Sequence, residues 1–141
     1  MTAVLVQRAF EVPVAAEEAW SALADVEAWP TWAPHIAAAH TTPPGPVTAA
    51  TSGTFRFRPL GRSRFRMTEF DPHRSWTWSG RAMGVPIDYE HRFEPTSPQS
   101  TRLVWIVRTR GRRGVRARLF GFVYGRLVDR AWPRFQATLT R

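Results

Sequence analysis

The sequence of 141 residues contains no cysteine and no lysine, and none of its apolar runs is long. The absence of cysteine excludes a disulfide framework, a thiolate metal site and a cysteine nucleophile. A bilayer span requires about 20 consecutive apolar residues, so no transmembrane helix is predicted. The first ten residues lack the charged region and the cleavage site of a signal peptide, and we therefore expect a cytoplasmic protein.

All 20 basic side chains are arginine, and the formal net charge is +9. Six of these arginines fall in RTRGRRGVRAR, Arg108–Arg118. A solvated basic turn is the simplest interpretation of this segment. The alternatives are a surface for an acidic carrier protein or for an anionic membrane, into which Phe120 and Phe122 would dip. Nucleic acid is the weakest candidate, because the segment lacks interleaved aromatic residues for base stacking.

Residues 1–141 are expected to form one domain, since no linker or internal repeat divides the chain. Residues 4–14 alternate between apolar and polar side chains in their second half, which is typical of a half-buried strand. Residues 15–26 have apolar side chains at helical spacing and acids in the first turn. This helix must end before Pro30, because proline disfavours helical geometry in the residue preceding it.

The middle of the chain predicts further strands separated by turn residues, giving about seven strands in all. Large apolar side chains occupy alternate positions in most of them. The last is apolar on both faces, as in a strand covered on both sides. The stretch TTPPGPVT (41–48), which precedes the first of these strands, is predicted to be a loop because of its prolines and glycine. The assigned strands are GTFRFRPL (53–60), RSRFRMTEF (62–70), RSWTWSG (74–80), VPIDYEHRF (85–93) and TRLVWIVRTR (101–110).

The last part of the chain, Val115–Leu139, predicts a long helix with a continuous apolar stripe. Pro133 should remove a backbone hydrogen bond and either kink this helix or split it near Trp132. The expected fold class is α+β, with a curved antiparallel sheet wrapped around the C-terminal helix and short helices after the first strand. The stripe consists of Phe120, Tyr124, Leu127, Ala131 and Phe135.

One helix cannot cover the sheet that these strands would form. The helix is about 10–12 Å across, whereas seven strands spaced about 4.7–4.9 Å apart would be ~30 Å wide if flat. The sheet must therefore curl around the helix. Its uncovered inward face is either filled by aromatic rings or lines a ligand cavity with a few polar groups, and we favour the cavity. The candidate lining residues are Trp32, Phe55, Phe57, Phe65, Met67, Trp76, Trp78, Tyr89, His91, Trp105, Phe120 and Tyr124.

The segment VEAWPTWAPHI (26–36) places two tryptophans and two prolines between the first helix and the next strand. Trp29 and Trp32 are predicted to plug or rim the mouth of this cavity. The two prolines would fix the shape of the segment, so that little entropy is lost on binding. A hydrophobic plug without a gating role is the alternative.

Three stretches of the sequence resemble the START-like or Bet v 1-like superfamily, also called SRPBCC, which includes polyketide cyclase/dehydrase and lipid-transport proteins. They are VPVAAEEAWSALADVEAWPTWAPHI (12–36), FDPHRSWTWSG (70–80) and TRLVWIVRTR (101–110). The resemblance implies the helix-grip fold and a pocket for a small hydrophobic ligand that is lipid-, aromatic- or polyketide-like. It transfers no catalytic motif, since the superfamily hosts carriers and enzymes on one fold.

The candidates for chemistry reduce to acid–base catalysis. The four histidines lack the spacing of metal ligands, and no cofactor is expected. A nucleophile elbow of the type Gly-x-Ser-x-Gly is missing. Tyr89 and His91 share the inward face of one strand, and in a cyclase/aromatase-type enzyme they would orient or protonate an enolising ketone. In a carrier they would only contact the ligand, and as structural residues they would only pack in the core.

Overall fold

The computed structural model describes residues 2–58 and 61–139. Within these ranges the chain forms seven strands, two α-helices and one 3₁₀ helix. In chain order the elements are β1 (Thr2–Val12), α1 (Ala16–Ala24), the 3₁₀ helix (Val26–Thr31), β2 (Ile36–Thr42), β3 (Ser52–Phe57), β4 (Gly61–Asp71), β5 (Ser75–Ala82), β6 (Val85–Ser97), β7 (Ser100–Arg110) and α2 (Val115–Leu139).

All seven strands belong to one antiparallel sheet with the order β1-β7-β6-β5-β4-β3-β2. The sheet curves around α2, which confirms the predicted α+β helix-grip arrangement. The strands β1 and β2 lie at opposite edges of the sheet. Each strand from β2 to β7 pairs with the next one along the chain. No helix in the described part of the chain is long and apolar enough to cross a membrane.

Two glycines let α2 lie close to the edge strand β1. A Cβ atom added at Gly121 would lie 3.1 Å from Leu5 Cβ, and one at Gly125 would lie 3.0 Å from the Arg8 guanidinium. The same contact is fixed by an ion pair in which Arg8 donates to both carboxylate oxygens of Asp129, at 2.7 and 3.2 Å. The helix is therefore held against one side of the sheet.

The alternation predicted for β6 is confirmed. Tyr89 and His91 are buried on the inward face, while Glu90 lies on the outward face and accepts hydrogen bonds from Arg92 and Arg108. Burial alone would raise the pKa of the Glu90 carboxyl. The two arginines outweigh this effect and lower the pKa below its usual value.

Residues 36–42 form a strand that the sequence pattern did not locate. The strand β2 pairs with β3 and takes in Thr41 and Thr42, the first two residues of the predicted loop. Its sequence IAAAHTT has too few large apolar residues to alternate visibly. Residues 59 and 60, at the end of the predicted strand GTFRFRPL, lie outside the described residues.

Of the two outcomes expected at Pro133, a kink or a split near Trp132, the split is wrong, since the helix continues through Pro133 to Leu139. Proline removes the hydrogen bond that the carbonyl of Asp129 would have accepted. Both Asp129 and Pro133 are exposed, so water can bond this carbonyl instead. The neighbouring Phe135 is buried and keeps this part of the helix packed on the sheet.

Candidate ligand-binding cavity

The tryptophan-rich segment is anchored at the end of α1. The indole Nε1 of Trp29 donates to the carbonyl of Leu23 at 2.8 Å. This carbonyl is one of the last four of α1, which have no partner within the helix. Pro30 is the penultimate residue of the 3₁₀ helix, which ends at Thr31. Its ring fixes the backbone φ angle at this point. Trp29 and Trp32, both 6 % exposed, thereby turn inward under the curved sheet.

A small cavity of about 30 Å³ lies between this segment, the strands β6 and β7, and α2. A volume of this kind holds one or two water molecules, whereas pockets for drug-sized ligands measure about 300–1,000 Å³. Its wall is mostly aromatic and aliphatic. The ring-bearing residues on the wall are Trp29, Trp32, His35, Tyr89, His91, Trp105 and Tyr124.

The strand register explains why three of these rings meet. Tyr89 and His91 are two residues apart on β6, so both point to the same face. His91 pairs with Trp105 of β7, and the two ring centroids are 6.4 Å apart. Tyr124 of α2 closes the other side, 5.6 Å from the Tyr89 ring. The cavity therefore lies between adjacent sheet positions and one turn of the helix.

Four buried polar atoms on the cavity wall have no hydrogen-bond partner within the described residues. Such an atom destabilises the fold by about 1–3 kcal/mol, because it has lost water and gained no partner. Two further unpartnered atoms, on Thr41 and Trp76, belong to residues outside the wall. The four wall atoms are the Tyr89 hydroxyl, Nδ1 of His35, Nδ1 of His91 and Nε1 of Trp105.

Burial keeps these groups uncharged at neutral pH. It lowers the pKa of His35 to about 4 and that of His91 to about 3, although a backbone hydrogen bond at Trp76 and the charge of Glu90 act against the second shift. Burial, reinforced by Tyr124, raises the pKa of Tyr89 well above its usual value. The polar side chains that face the cavity are therefore neutral donors and acceptors. Glu90 also belongs to the wall, but its carboxylate lies on the outward face with Arg92 and Arg108.

The residues predicted to line the cavity separate into two groups. Trp32, Tyr89, His91, Trp105 and Tyr124 lie on its wall. The others pack beside it as a continuous aromatic core, in which ring centroids approach to 4.4 Å. These core residues are Phe55, Phe57, Phe65, Met67, Trp76, Trp78 and Phe120.

Sequence reasoning missed His35 and Val128 on the cavity wall. His35 was considered only as a metal ligand, and no group of three histidine or carboxylate side chains in the described ranges could hold a metal ion. Its position in the segment 26–36, close to Trp32 and Pro34, was the feature that could have indicated its place on the wall. Val128 is buried where the apolar stripe pointed to Leu127, which is half-buried.

The family model for polyketide cyclase/dehydrase and lipid transport matches residues 3–141. The chain belongs to this family. The match covers nearly all of the sequence, including β1, the tryptophan-rich segment, and α2. A comparison with curated protein sequences gives no match.

Solved structures share the fold of this family member at low sequence identity. The ZhuI aromatase/cyclase from Streptomyces sp. R1128 is 16 % identical, with a TM-score of 0.76 over 100 % of this chain and 95 % of that one. A START superfamily protein from Mycobacterium smegmatis is 15 % identical, with a TM-score of 0.73 over 96 % of both chains. Norcoclaurine synthase from Thalictrum flavum, in complex with dopamine and hydroxybenzaldehyde, is 12 % identical, with a TM-score of 0.69 over 99 % and 87 %.

Proposed function

We propose that this protein binds a small ring-containing hydrophobic molecule that carries a carbonyl or hydroxyl group, in the cavity between the sheet and α2. The observation that carries the proposal is a set of four buried polar atoms on a mostly apolar wall, none of which has a partner within the described residues. Unpaired buried groups are uncommon in native proteins, and a ligand that pairs them recovers their cost. The description of the family agrees with a hydrophobic ligand.

Binding requires the cavity to become larger, because a volume of about 30 Å³ is too small for any aromatic ring. Trp32 is the side chain best placed to move. Its indole makes no hydrogen bond within the described residues, whereas Trp29 is held by the Leu23 carbonyl. Trp32 packs 4.8 Å from Phe135 of α2, between the 3₁₀ helix and the cavity. Rotation of Trp32 would admit a flat ligand without moving a strand.

Tyr89→Phe should raise the stability of the free protein and weaken ligand binding. The change removes an unpaired buried hydroxyl, so the free energy of unfolding should rise by about 1 kcal/mol. The lost hydrogen bond should weaken binding of the neutral probe 2-naphthamide by up to about tenfold. Chemical denaturation and calorimetric titration measure the two effects.

Tyr124→Phe is the matched control for this pair of measurements. Tyr124 lines the same cavity, but its hydroxyl is not among the buried unpartnered atoms. Both quantities should change little in this variant. Unchanged probe affinity in Tyr89→Phe would remove the hydroxyl from the site, and equal effects of the two substitutions would argue against a specific polar contact.

A cyclase acting on a bound or carrier-tethered polyketone is the second candidate function. It is favoured by the position of Tyr89 and His91, which are two residues apart; the Tyr89 hydroxyl and Nδ1 of His91 have no partner within the described residues. Tyr89 stays protonated and can donate to a carbonyl oxygen on which enolate charge develops. His91→Phe separates the candidates, because an enzyme would lose turnover of a polyketone thioester while a carrier would change only in affinity.

We also infer that an anionic membrane surface is the partner of the arginine-rich segment Arg108–Arg118. Arg108 and Arg110 are engaged by Glu90 and Asp88 in the sheet, so the free charges are those nearer α2. Three exposed apolar residues, the first of them within this segment, lie at helical spacing on the outer face of α2. They are Val115, Leu119 and Phe122, with exposures of 84, 49 and 64 %. The expectation that Phe120 would enter the membrane with Phe122 is wrong, since Phe120 is fully buried in the core. Arginines beside an exposed apolar stripe are typical of helices that lie at a membrane interface.

The double substitution Arg112→Gln/Arg113→Gln should weaken binding to phosphatidylglycerol-containing vesicles by about 30-fold, since each surface arginine contributes about 1 kcal/mol. Co-sedimentation with vesicles of mixed phosphatidylcholine and phosphatidylglycerol measures this. Arg62→Gln/Arg64→Gln removes the same charge from exposed positions on β4 and should weaken binding far less. An equal loss in both variants would indicate net charge alone, and no binding of the unmodified protein would favour an acidic carrier protein.

A further inference from the structure

A second groove lies directly outside the cavity and shares one wall residue with it. This outer groove has a volume of about 610 Å³ and is open to solvent. His35 lines both the groove and the inner cavity. The groove is therefore the natural approach to the cavity from the surface. Its other lining residues are Pro34, Arg58, Leu127, Arg130 and Arg134.

The fold holds three arginines at this approach. The backbone N–H of Arg58 donates to the carbonyl of His35 at 2.7 Å, which joins the end of β3 to the cavity wall. Arg130 and Arg134 are one helical turn apart on α2 and face the groove. Ala131, on the same turn, faces the cavity. One stretch of α2 thus lines the apolar cavity on its inner side and the basic groove on its outer side.

No carboxylate in the described part of the chain neutralises these three arginines. Within the described residues none of Arg58, Arg130 and Arg134 forms an ion pair, and the groove contains no acidic residue. The adjacent Asp129 is already bound by Arg8. A concave surface with charge of one sign concentrates ligands of the opposite sign. Guanidinium groups also bind carboxylates and phosphates through two parallel hydrogen bonds.

His35 separates the basic groove from the aromatic cavity. Its ring is stacked on Phe57, with centroids 6.1 Å apart, and meets the edge of Tyr124 at 5.8 Å. It is 5 % exposed, and its Nδ1 has no partner within the described residues. A ligand passing His35 would leave one end in the groove and place the other against Tyr89 and His91.

We propose that the ligand carries an anionic group, a carboxylate or a phosphate, which Arg58, Arg130 and Arg134 bind while its ring occupies the cavity beyond His35. This inference rests on the proposed function and adds the chemical class of the ligand. The titratable side chains that face the cavity, His35, Tyr89 and His91, are uncharged at neutral pH, so recognition of the anion depends on the groove. A carboxylate would belong to a free acid, whereas a phosphate would be compatible with a phosphorylated or carrier-tethered ligand.

Three probes with one ring system test the inference by calorimetric titration at physiological salt. They are neutral 2-naphthamide, 2-naphthoate, which has nearly the same shape, and 2-naphthyl phosphate. The unmodified protein should bind at least one anionic probe about tenfold more tightly than the amide. The anionic probe that binds more tightly shows whether the natural ligand carries a carboxylate or a phosphate. In Arg58→Gln/Arg134→Gln this advantage should disappear, while the affinity for 2-naphthamide stays unchanged.

Arg62→Gln/Arg64→Gln is the control, since it removes two exposed arginines from β4 and none from the groove. It should retain the preference for the anion. Equal affinity of the unmodified protein for all three probes would overturn the inference and leave the proposed function standing. Equal loss in both double variants would also overturn it, because net charge would then explain the preference. If no probe binds, the cavity proposal fails and this inference fails with it.

Discussion

Lowering the pH from 7 to 5 should reduce the free energy of unfolding by about 4 kcal/mol, through two buried histidines. Burial lowers the pKa of His35 to about 4 and that of His91 to about 3. In the unfolded chain both have a pKa of about 6.5. Between these values the unfolded state binds more protons than the folded state, so stability falls as the pH falls. Each histidine contributes roughly 2 kcal/mol at pH 5.

The stabilising contribution of neutral His35 and His91 is fully present above pH 6.5 and is lost progressively below it. Glu90, whose pKa is lowered by Arg108 and Arg92 against the effect of burial, adds a further loss below its unfolded-state pKa. A loss of about 4 kcal/mol is a large part of the 5–15 kcal/mol that stabilises a typical domain. The cavity wall is therefore also the acid-sensitive part of the fold.

Urea denaturation at pH 7, 6 and 5 measures this dependence. His91→Gln should reduce the slope of stability against pH by about half, because one of the two titrating groups is gone. His40→Gln is the control, since the side chain of His40 is 75 % exposed. A slope unchanged in His91→Gln, or reduced equally in His40→Gln, would show that the buried histidines are not its source.

Trp32→Ala should lower the free energy of unfolding by about 3–5 kcal/mol and at the same time tighten ligand binding. The indole is 6 % exposed and packs on Trp29, Trp105 and Phe135, so its removal loses a large apolar contact. The space it leaves adjoins the cavity. A protein whose open state is already populated binds without the cost of opening, so affinity for 2-naphthamide should rise by about tenfold.

Trp20→Ala is the matched control for Trp32→Ala. Trp20 has the same exposure of 6 %, but it packs against Phe70, Trp76 and Phe93 and is not on the cavity wall. It should lose comparable stability without gaining affinity. The gating role of Trp32 would be contradicted if both variants lost affinity, or if Trp32→Ala bound the probe no better than the unmodified protein.

Elements with large alternating side chains could be predicted from the sequence. In β6 the positions of Tyr89 and His91 followed directly from period-two alternation, since one face is buried. The strand β2 could not be located in this way. Its alanines show no clear alternation of large apolar and polar side chains. The strand is stabilised by its pairing with β3, where Ala39 lies opposite Phe55, and by contact with the 3₁₀ helix.

The size of the cavity could not be predicted, because it depends on side-chain rotamers and packing. Phe55 and Trp78 face inward, as the sequence predicts. Their rings contact each other and fill the interior beside the cavity. The predicted apolar stripe of α2 included Leu127, whereas the cavity wall contains the next residue, Val128, and Leu127 lines the outer groove. Sequence patterns thus identify the faces of the elements, whereas the site depends on which rings leave a gap.

The central claim is that a ring-shaped ligand enters beneath Trp32 and pairs with the polar atoms of the cavity wall. The most direct test is a titration of the isotope-labelled protein with 2-naphthamide, followed through the indole N–H signals of its 7 tryptophans. We expect large, saturable shifts for Trp105, whose Nε1 is unpartnered, and for Trp32, with little change for Trp20. Small shifts spread over all of them, or none at saturating probe, would contradict a ligand site in this cavity.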